Sequence, residues 1–187
     1  MIEKVFSTPL YSTISEKNHI QNEIDACIDK VNFQYIEKWG KTHKISIVDA
    51  EDVISYYELD HFKKFLNENI VEYCKQIGFK PKEKYRLQSW FTKFDKDDYG
   101  HIHSHGHADI SGVYYYKTNG DDGDLAFYTP VINSETSTVF NVDTTWIHKP
   151  VVGKLIMFPG YLKHGIFRNT TTSERISLSF NIDFNKF

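Results

Sequence analysis

Four histidines crowd one short stretch, His101, His103, His105 and His107, and another, His164, follows the apolar run Leu155-Ile156-Met157-Phe158-Pro159. Neutral imidazole is a common ligand for transition metals. In an extended segment alternate side chains share a face, so His103 and His105 are expected to point the same way. His164, carried on a later strand, completes a three-histidine face that leaves positions for water, substrate or oxygen. His101 and His107 could share that face. The carboxylate of a His-x-Asp pair is missing, and His105 stands in its place. Asp109 is a candidate fourth ligand, or a partner that fixes a histidine tautomer. Three neutral imidazoles leave the full charge on a divalent ion, which an anionic cosubstrate would offset. The plainer reading is a solvated histidine loop that binds metal adventitiously. It does not account for His164, which an apolar strand delivers to a sheet end.

A second group of residues could bind an anion. The run Arg175-Ile176-Ser177-Leu178-Ser179-Phe180-Asn181 alternates. Ile176, Leu178 and Phe180 fall on one face; Arg175, Ser177, Ser179 and Asn181 fall on the other. An inward-facing arginine is expensive unless paired, and a bound carboxylate matches the fixed fork of its guanidinium. An exposed outer face, or a salt bridge to Asp or Glu, is the alternative.

These residues need a scaffold. Strand candidates are Tyr85 to Phe94, His101 to His105, Ile110 to Tyr116, Asp124 to Tyr128, Ser137 to Val142, Trp146 to His148, Lys154 to Phe158, Gly165 to Asn169 and Arg175 to Asp183. They are short and separated by Gly, Asp, Asn and Pro turns. That spacing predicts a mainly β fold with flanking helices, a double-stranded β-helix or jelly roll of the cupin-like kind. Before it, Lys4 to Tyr11 reads as extended and Glu16 to Phe33 as helical, and Trp39-Gly40 marks a turn. Asp60 to Ile77 is the clearest helix, with Phe62, Phe65, Leu66, Ile70, Tyr73, Cys74 and Ile77 on one face, Asp60 as its cap and Gly78 as its end. Its apolar stripe is expected to pack on an outer sheet face. The chain reads as one domain, with 1–84 as a mixed helical and strand support and 85–187 as the jelly-roll core.

Composition narrows the function. A net charge of −3 argues against nucleic-acid backbone binding. No long apolar run exists to span a membrane or to form a signal peptide. Cys27 and Cys74 fall in helix-like segments and do not form a disulfide framework, so a cytoplasmic setting is expected, in a bacterium or a phage-infected host cell.

With both sites in hand, the chain resembles the 2-oxoglutarate and iron(II)-dependent oxygenases, and more narrowly a set of small oxygenases, many from bacteria and phages. The resemblance is carried by His103-Ser104-His105-Gly106 followed by Ser111-Gly112-Val113-Tyr114-Tyr115. It continues through Gly123-Asp124-Leu125-Ala126-Phe127-Tyr128 with Pro130, and Gly153-Lys154-Leu155-Ile156-Met157-Phe158-Pro159 with His164. It closes on Arg175-Ile176-Ser177-Leu178-Ser179-Phe180-Asn181. It covers residues 85 to 184, and Gly106 departs from the usual proline. It implies Fe(II) on His103, His105 and His164, and 2-oxoglutarate as cosubstrate with its distal carboxylate on Arg175, assisted by Ser177. A tyrosine of the Tyr114 to Tyr116 run supports the cosubstrate, with Tyr114 or Tyr116 favoured on strand parity. The implied activity is hydroxylation coupled to oxidative decarboxylation of 2-oxoglutarate, on a small-molecule or peptide substrate that the sequence does not name. A homodimer is compatible with this reading. Two other readings share the fold: a cupin-like metal enzyme using His103, His105, Asp109 and His164 without 2-oxoglutarate, and a non-catalytic jelly-roll binding or structural protein with a metal site.

Overall fold

The protein was analysed as a computed structural model, which describes residues 7–81, 84–131 and 144–185. Two antiparallel sheets face each other. The larger sheet orders its strands β1 (Tyr11–Ile14), β9 (Lys154–Pro159), β6 (Ile110–Lys117), β11 (Arg175–Asp183), β4 (Arg86–Phe94), β3 (Lys44–Ser46) and β2 (Phe33–Tyr35). The smaller sheet orders β5 (Gly100–His103), β10 (His164–Ile166), β7 (Leu125–Tyr128) and β8 (Thr145–His148). This is the mainly β, helix-flanked jelly roll that the turn spacing predicts. Strands from before residue 84 lie in the same sheet as those after it.

Helices α1 (Lys17–Ile28), α2 (Val53–Tyr56) and α3 (Asp60–Gln76) cover one face of the larger sheet. Ile24, Phe62, Leu66 and Ile70 pack there against Tyr114, Leu178 and Ile182 in one buried cluster. On the opposite face, Val113, Tyr115, Ile156 and Phe158 meet Leu125 and Phe127 between the sheets. The two-residue period of the central strands thus builds two cores, one on each face. Each large apolar side chain so buried contributes about 1.5–3 kcal/mol.

Strand β11 is the keel of this arrangement. It pairs with β4 over its whole length, from Arg175 opposite Phe94 to Asp183 opposite Arg86. On its other side it pairs with β6, with a register shift between Ile176 and Ser177. A strand pinned from both sides cannot slip, so the face presented by Arg175, Ser177, Ser179 and Asn181 is fixed.

Several boundaries differ from expectation. Helix α1 ends at Ile28, and Phe33 begins β2, because the chain turns where the backbone N–H of Lys30 bonds back to the Cys27 carbonyl. Leu59, not Asp60, is the cap residue of α3. The carboxylate of Glu23 in α1 instead accepts from the His61 and Phe62 backbone N–H groups at 2.7 and 3.0 Å. Ile77 lies past the last turn, 44% exposed, and Gly78 follows with φ 74°. Of the expected segment Lys4 to Tyr11, Lys4 to Phe6 lie outside the described residues, and the first strand among the described residues is Tyr11–Ile14. Ser137 to Val142 lies outside the described residues. Among the described residues no helix is long and apolar enough to cross a membrane.

Candidate metal centre

The structure brings His103, His105 and His164 together. One ring nitrogen from each lies within 4.8 Å of the others, and their ring centroids are 4.5 to 5.2 Å apart. His103 and His164 reach the centre from β5 and β10, where they stand directly opposite each other. His105 arrives differently. The expected strand ends at His103, and His105 sits in the following loop, so the two are not aligned by strand alternation. That loop is held by His105 N–H donating to the Gly160 carbonyl at 2.7 Å and Ala108 N–H donating to the His105 carbonyl at 2.8 Å. A side chain at Gly160 would meet the Ala108 and His105 carbonyl oxygens at 2.2 and 2.7 Å, so only glycine permits this approach.

The ring orientations agree with metal binding. Nδ1 of His103 faces the His101 carbonyl at 2.8 Å, and Nδ1 of His164 faces the Leu162 carbonyl at 2.9 Å. A carbonyl only accepts, so both Nδ1 atoms carry the proton and both Nε2 atoms are free to coordinate. Nδ1 of His105 lies 3.4 Å from Nδ2 of Asn181. Burial pushes the His105 and His164 imidazoles down to about 3 and about 4, with the neighbouring histidines adding to the effect, and burial also lowers His103. The three rings are therefore neutral, as ligation requires.

Arg175 shares their cavity, a space of about 310 Å³ walled by Val113, Leu125 and Phe158 and lined also by Trp39 and Trp90. Arg175 is fully buried. Its Nη1 donates to the Gly123 carbonyl at 2.5 Å, while Nε and Nη2 have no partner among the described residues. Gly123 can present that carbonyl because it adopts φ 106°, and a side chain there would strike the Phe167 oxygen at 2.3 Å. The guanidinium lies between the Phe94 and Tyr115 rings, 5.2 and 4.9 Å from their centroids. The Tyr115 hydroxyl is also buried without a partner. Burial raises its pKa and Arg175 partly offsets this, so it remains an O–H donor.

The other expected residues fall elsewhere. Tyr114 and Tyr116 point to the helix side, where their hydroxyls meet Ser15 Oγ at 3.0 Å and Asp25 Oδ1 at 2.5 Å. The inward face is the alternate one to that expected: Ser111, Val113 and Tyr115 face inward. Ser177 is fully buried but bonds Thr92 at 2.8 Å, and it is Thr92 that lines the cavity. Asp109 is exposed, lies outside the three-histidine group and accepts from the Phe184 N–H at 2.7 Å, which removes it as a ligand and with it the four-ligand cupin-like set. His101 lines the cavity rim and His107 an adjoining groove. Sequence reasoning missed Tyr115, although Ser111 on the site face fixes its parity. It also missed His43, which lines the cavity stacked on Phe94, because nothing in its local sequence marks it.

The donor set fits a divalent transition metal, and the unmatched guanidinium fits a carboxylate. A family model described as "Putative 2OG-Fe(II) oxygenase", where 2OG is 2-oxoglutarate, matches residues 88–181. No curated protein sequence matches the chain. Among solved structures, a Pseudomonas putida prolyl-4-hydroxylase is similar over 96% of this chain and 95% of its own, at 13% identity and a TM-score of 0.66. HygX from Streptomyces hygroscopicus, solved with nickel, 2-oxoglutarate and hygromycin B, is similar over 96% and 84%, at 11% identity and a TM-score of 0.66. A 2OG-Fe(II) oxygenase family oxidoreductase from Burkholderia pseudomallei is similar over 94% and 84%, at 14% identity and 0.64. At these identities the structures establish the shared fold. The family model spans the strands and loops that carry all three imidazoles and the guanidinium, and the chain belongs to the 2OG-Fe(II) oxygenase family.

Proposed function

We propose that Nε2 of His103, His105 and His164 holds the iron(II), that Arg175 and Tyr115 hold the distal carboxylate of 2-oxoglutarate, and that the enzyme hydroxylates a small-molecule or peptide substrate entering between Trp39 and Trp90. The observation that carries this reading is the pair of guanidinium nitrogens of Arg175, Nε and Nη2, that find no partner among the described residues, buried in the cavity that the imidazoles line. An unpaired buried charge is costly. A carboxylate accepting from Nε and Nη2 removes that cost, and the Tyr115 hydroxyl supplies another donor beside it.

Bound iron(II) and 2-oxoglutarate supply oxidative decarboxylation to succinate and carbon dioxide as dioxygen oxidises the substrate. The chain's own residues bind, orient and exclude. Arg175 and Tyr115 fix one end of the keto acid, so its other end is directed toward the imidazoles. Val113, Leu125 and Phe158 keep water from the space between. A groove of about 400 Å³ adjoins the cavity and shares Trp39, Trp90 and His105 with it, which gives the substrate a wall of aromatic and aliphatic surface. Two buried free thiols, Cys27 and Cys74, suit a reducing compartment such as the cytoplasm.

The test is anaerobic calorimetry with iron(II) and 2-oxoglutarate, followed by admission of oxygen and assay of succinate. Wild type should bind both and release succinate slowly without added substrate. Arg175→Gln should weaken 2-oxoglutarate at least 100-fold and leave metal affinity within about 3-fold, as expected when a charged buried partner is lost. Unchanged 2-oxoglutarate affinity in that variant would exclude the assignment of Arg175.

A further inference from the structure

We infer that Asn181 and Ser111 act as a positioning pair that sets the tautomer of His105, turning its Nε2 lone pair toward the metal. This rests on the three-histidine reading above. His103 and His164 secure their tautomers through backbone carbonyls. For His105, displaced into a loop, the neighbour at Nδ1 among the described residues is not a carbonyl of the main chain but the Asn181 side-chain amide.

The chemistry of that contact decides the matter. An N–H of Asn181 aimed at Nδ1 requires Nδ1 to accept, which puts the ring proton on Nε2 and blocks coordination. The carboxamide is nearly symmetric in shape, and half a turn exchanges its oxygen and nitrogen. Oδ1 then accepts from Nδ1–H, and Nε2 is free. The turn needs a neighbour that tolerates both orientations. Ser111 is that neighbour: its hydroxyl donates to Asn181 Oδ1 at 2.7 Å, and a hydroxyl can equally accept from Nδ2. Ser111 and Asn181 are directly paired on β6 and β11, and they are 1% and 6% exposed, so little water competes for either group. The amide orientation and the His105 tautomer are thus one coupled choice, and metal binding selects the orientation with oxygen toward the ring. Because Asn181 sits on the keel strand and Ser111 on the strand paired to it, the ring meets a fixed partner even though its own backbone lies in a loop.

The experiment uses the full chain with cobalt(II) for calorimetry and zinc(II) for long-range proton–nitrogen NMR of the imidazoles. Wild type with zinc should show Nδ1 protonated in all three rings. Asn181→Ala should bind cobalt 10- to 100-fold more weakly and change the tautomer signature of His105 alone. Asn181→Asp can only accept, so it should keep the Nδ1–H tautomer and stay within about 3-fold of wild type or bind more tightly. Ser111→Ala, which removes the second acceptor, should weaken binding in the same direction as Asn181→Ala and carries the test if that variant does not fold. Wild-type affinity in both alanine variants, with His105 unchanged, would overturn the inference. If His164→Ala also binds cobalt like wild type, it is the metal-centre reading that fails.

Discussion

His103 and His164 are register partners on adjacent antiparallel strands, with ring centroids 4.5 Å apart. Two of the three imidazoles are therefore placed by main-chain hydrogen bonding, and a slip of one residue in either strand would turn its histidine to the outer face. The third comes from a loop clamped against Gly160 and packed beside Trp90, ring centroids 6.0 Å apart. Among the described residues no carboxylate joins them, so the positive charge of a bound ion is compensated from outside this three-imidazole set.

That charge balance predicts strong coupling between metal and cosubstrate. A dianion offsets what three neutral rings leave uncompensated, and linkage makes the effect reciprocal. Saturating 2-oxoglutarate should tighten cobalt(II) binding by 10- to 100-fold, and cobalt should tighten 2-oxoglutarate by the same factor. His105→Asp adds a carboxylate, so it should tighten metal alone and shrink the coupling. Calorimetric titration of each ligand with and without the other measures both. Additive binding in wild type would refute the charge argument.

The two tyrosines side by side on β6 should behave oppositely. Tyr115→Phe removes a buried hydroxyl that faces Arg175, and should weaken 2-oxoglutarate about 10-fold, the worth of one hydrogen bond to a charged group. Thermal stability without ligand should change little, since that hydroxyl makes no well-formed hydrogen bond among the described residues. Tyr114→Phe breaks the bond to Ser15. It should lower stability by roughly 1 kcal/mol and leave 2-oxoglutarate affinity unchanged. Melting curves with and without ligand separate the two effects.

The same pair marks the limit of what the amino-acid sequence alone carries. The alternation of β11 put Arg175 and Asn181 on one face and Leu178 on the other, because a strand paired on both sides keeps a strict two-residue period. The three imidazoles were legible from residue type and from the apolar strand leading to His164. The parity of Tyr114, Tyr115 and Tyr116 was not, since three like residues carry no hydrophobic contrast and only tertiary packing tells them apart. Nor was the route of His105, because Gly160, distant in sequence, closes the loop that carries it. Asp109 looked like a ligand by type and spacing, but the turn before β6 directs its carboxylate to the Phe184 amide.

The buried imidazoles also predict a pH profile. His43 is lowered to about 4, His105 to about 3 and His164 to about 4, in each case chiefly by burial. In the unfolded chain they titrate near 6.5. Between that value and about 4 the unfolded state binds more protons, so metal-free stability is complete above 6.5 and falls as the pH drops through this window. Each group should remove on the order of 1 kcal/mol by pH 5.5. Denaturant titrations of the metal-free protein at pH 7.5 and 5.5 should show the loss, and His164→Gln should reduce the slope. A slope unaltered by that substitution would show that His164 titrates normally.

Gly160 offers a way to move one ligand without touching its chemistry. It follows β9 and lies under the loop between β5 and β6, where the His105 N–H bonds its carbonyl and the His105 and Ala108 oxygens crowd its Cα. A methyl group there would sit 2.2 Å from a carbonyl oxygen, well inside any real contact, and the atoms in its way are backbone rather than a flexible side-chain tip. The loop must lift, and His105 moves with it. His103 and His164 are held by strand pairing and should stay. Gly160→Ala should therefore bind cobalt(II) at least 10-fold more weakly, the scale set by losing a well-placed supporting contact. The protein should still fold, because neither Gly160 nor the loop residues His105 and Ala108 belong to either buried cluster. Binding of 2-oxoglutarate without metal should change little, since Arg175 and Tyr115 do not contact the loop. Calorimetry with each ligand distinguishes this from a general loss of structure, which would weaken both together. Unaltered metal affinity would mean that His105 can be held without its clamp.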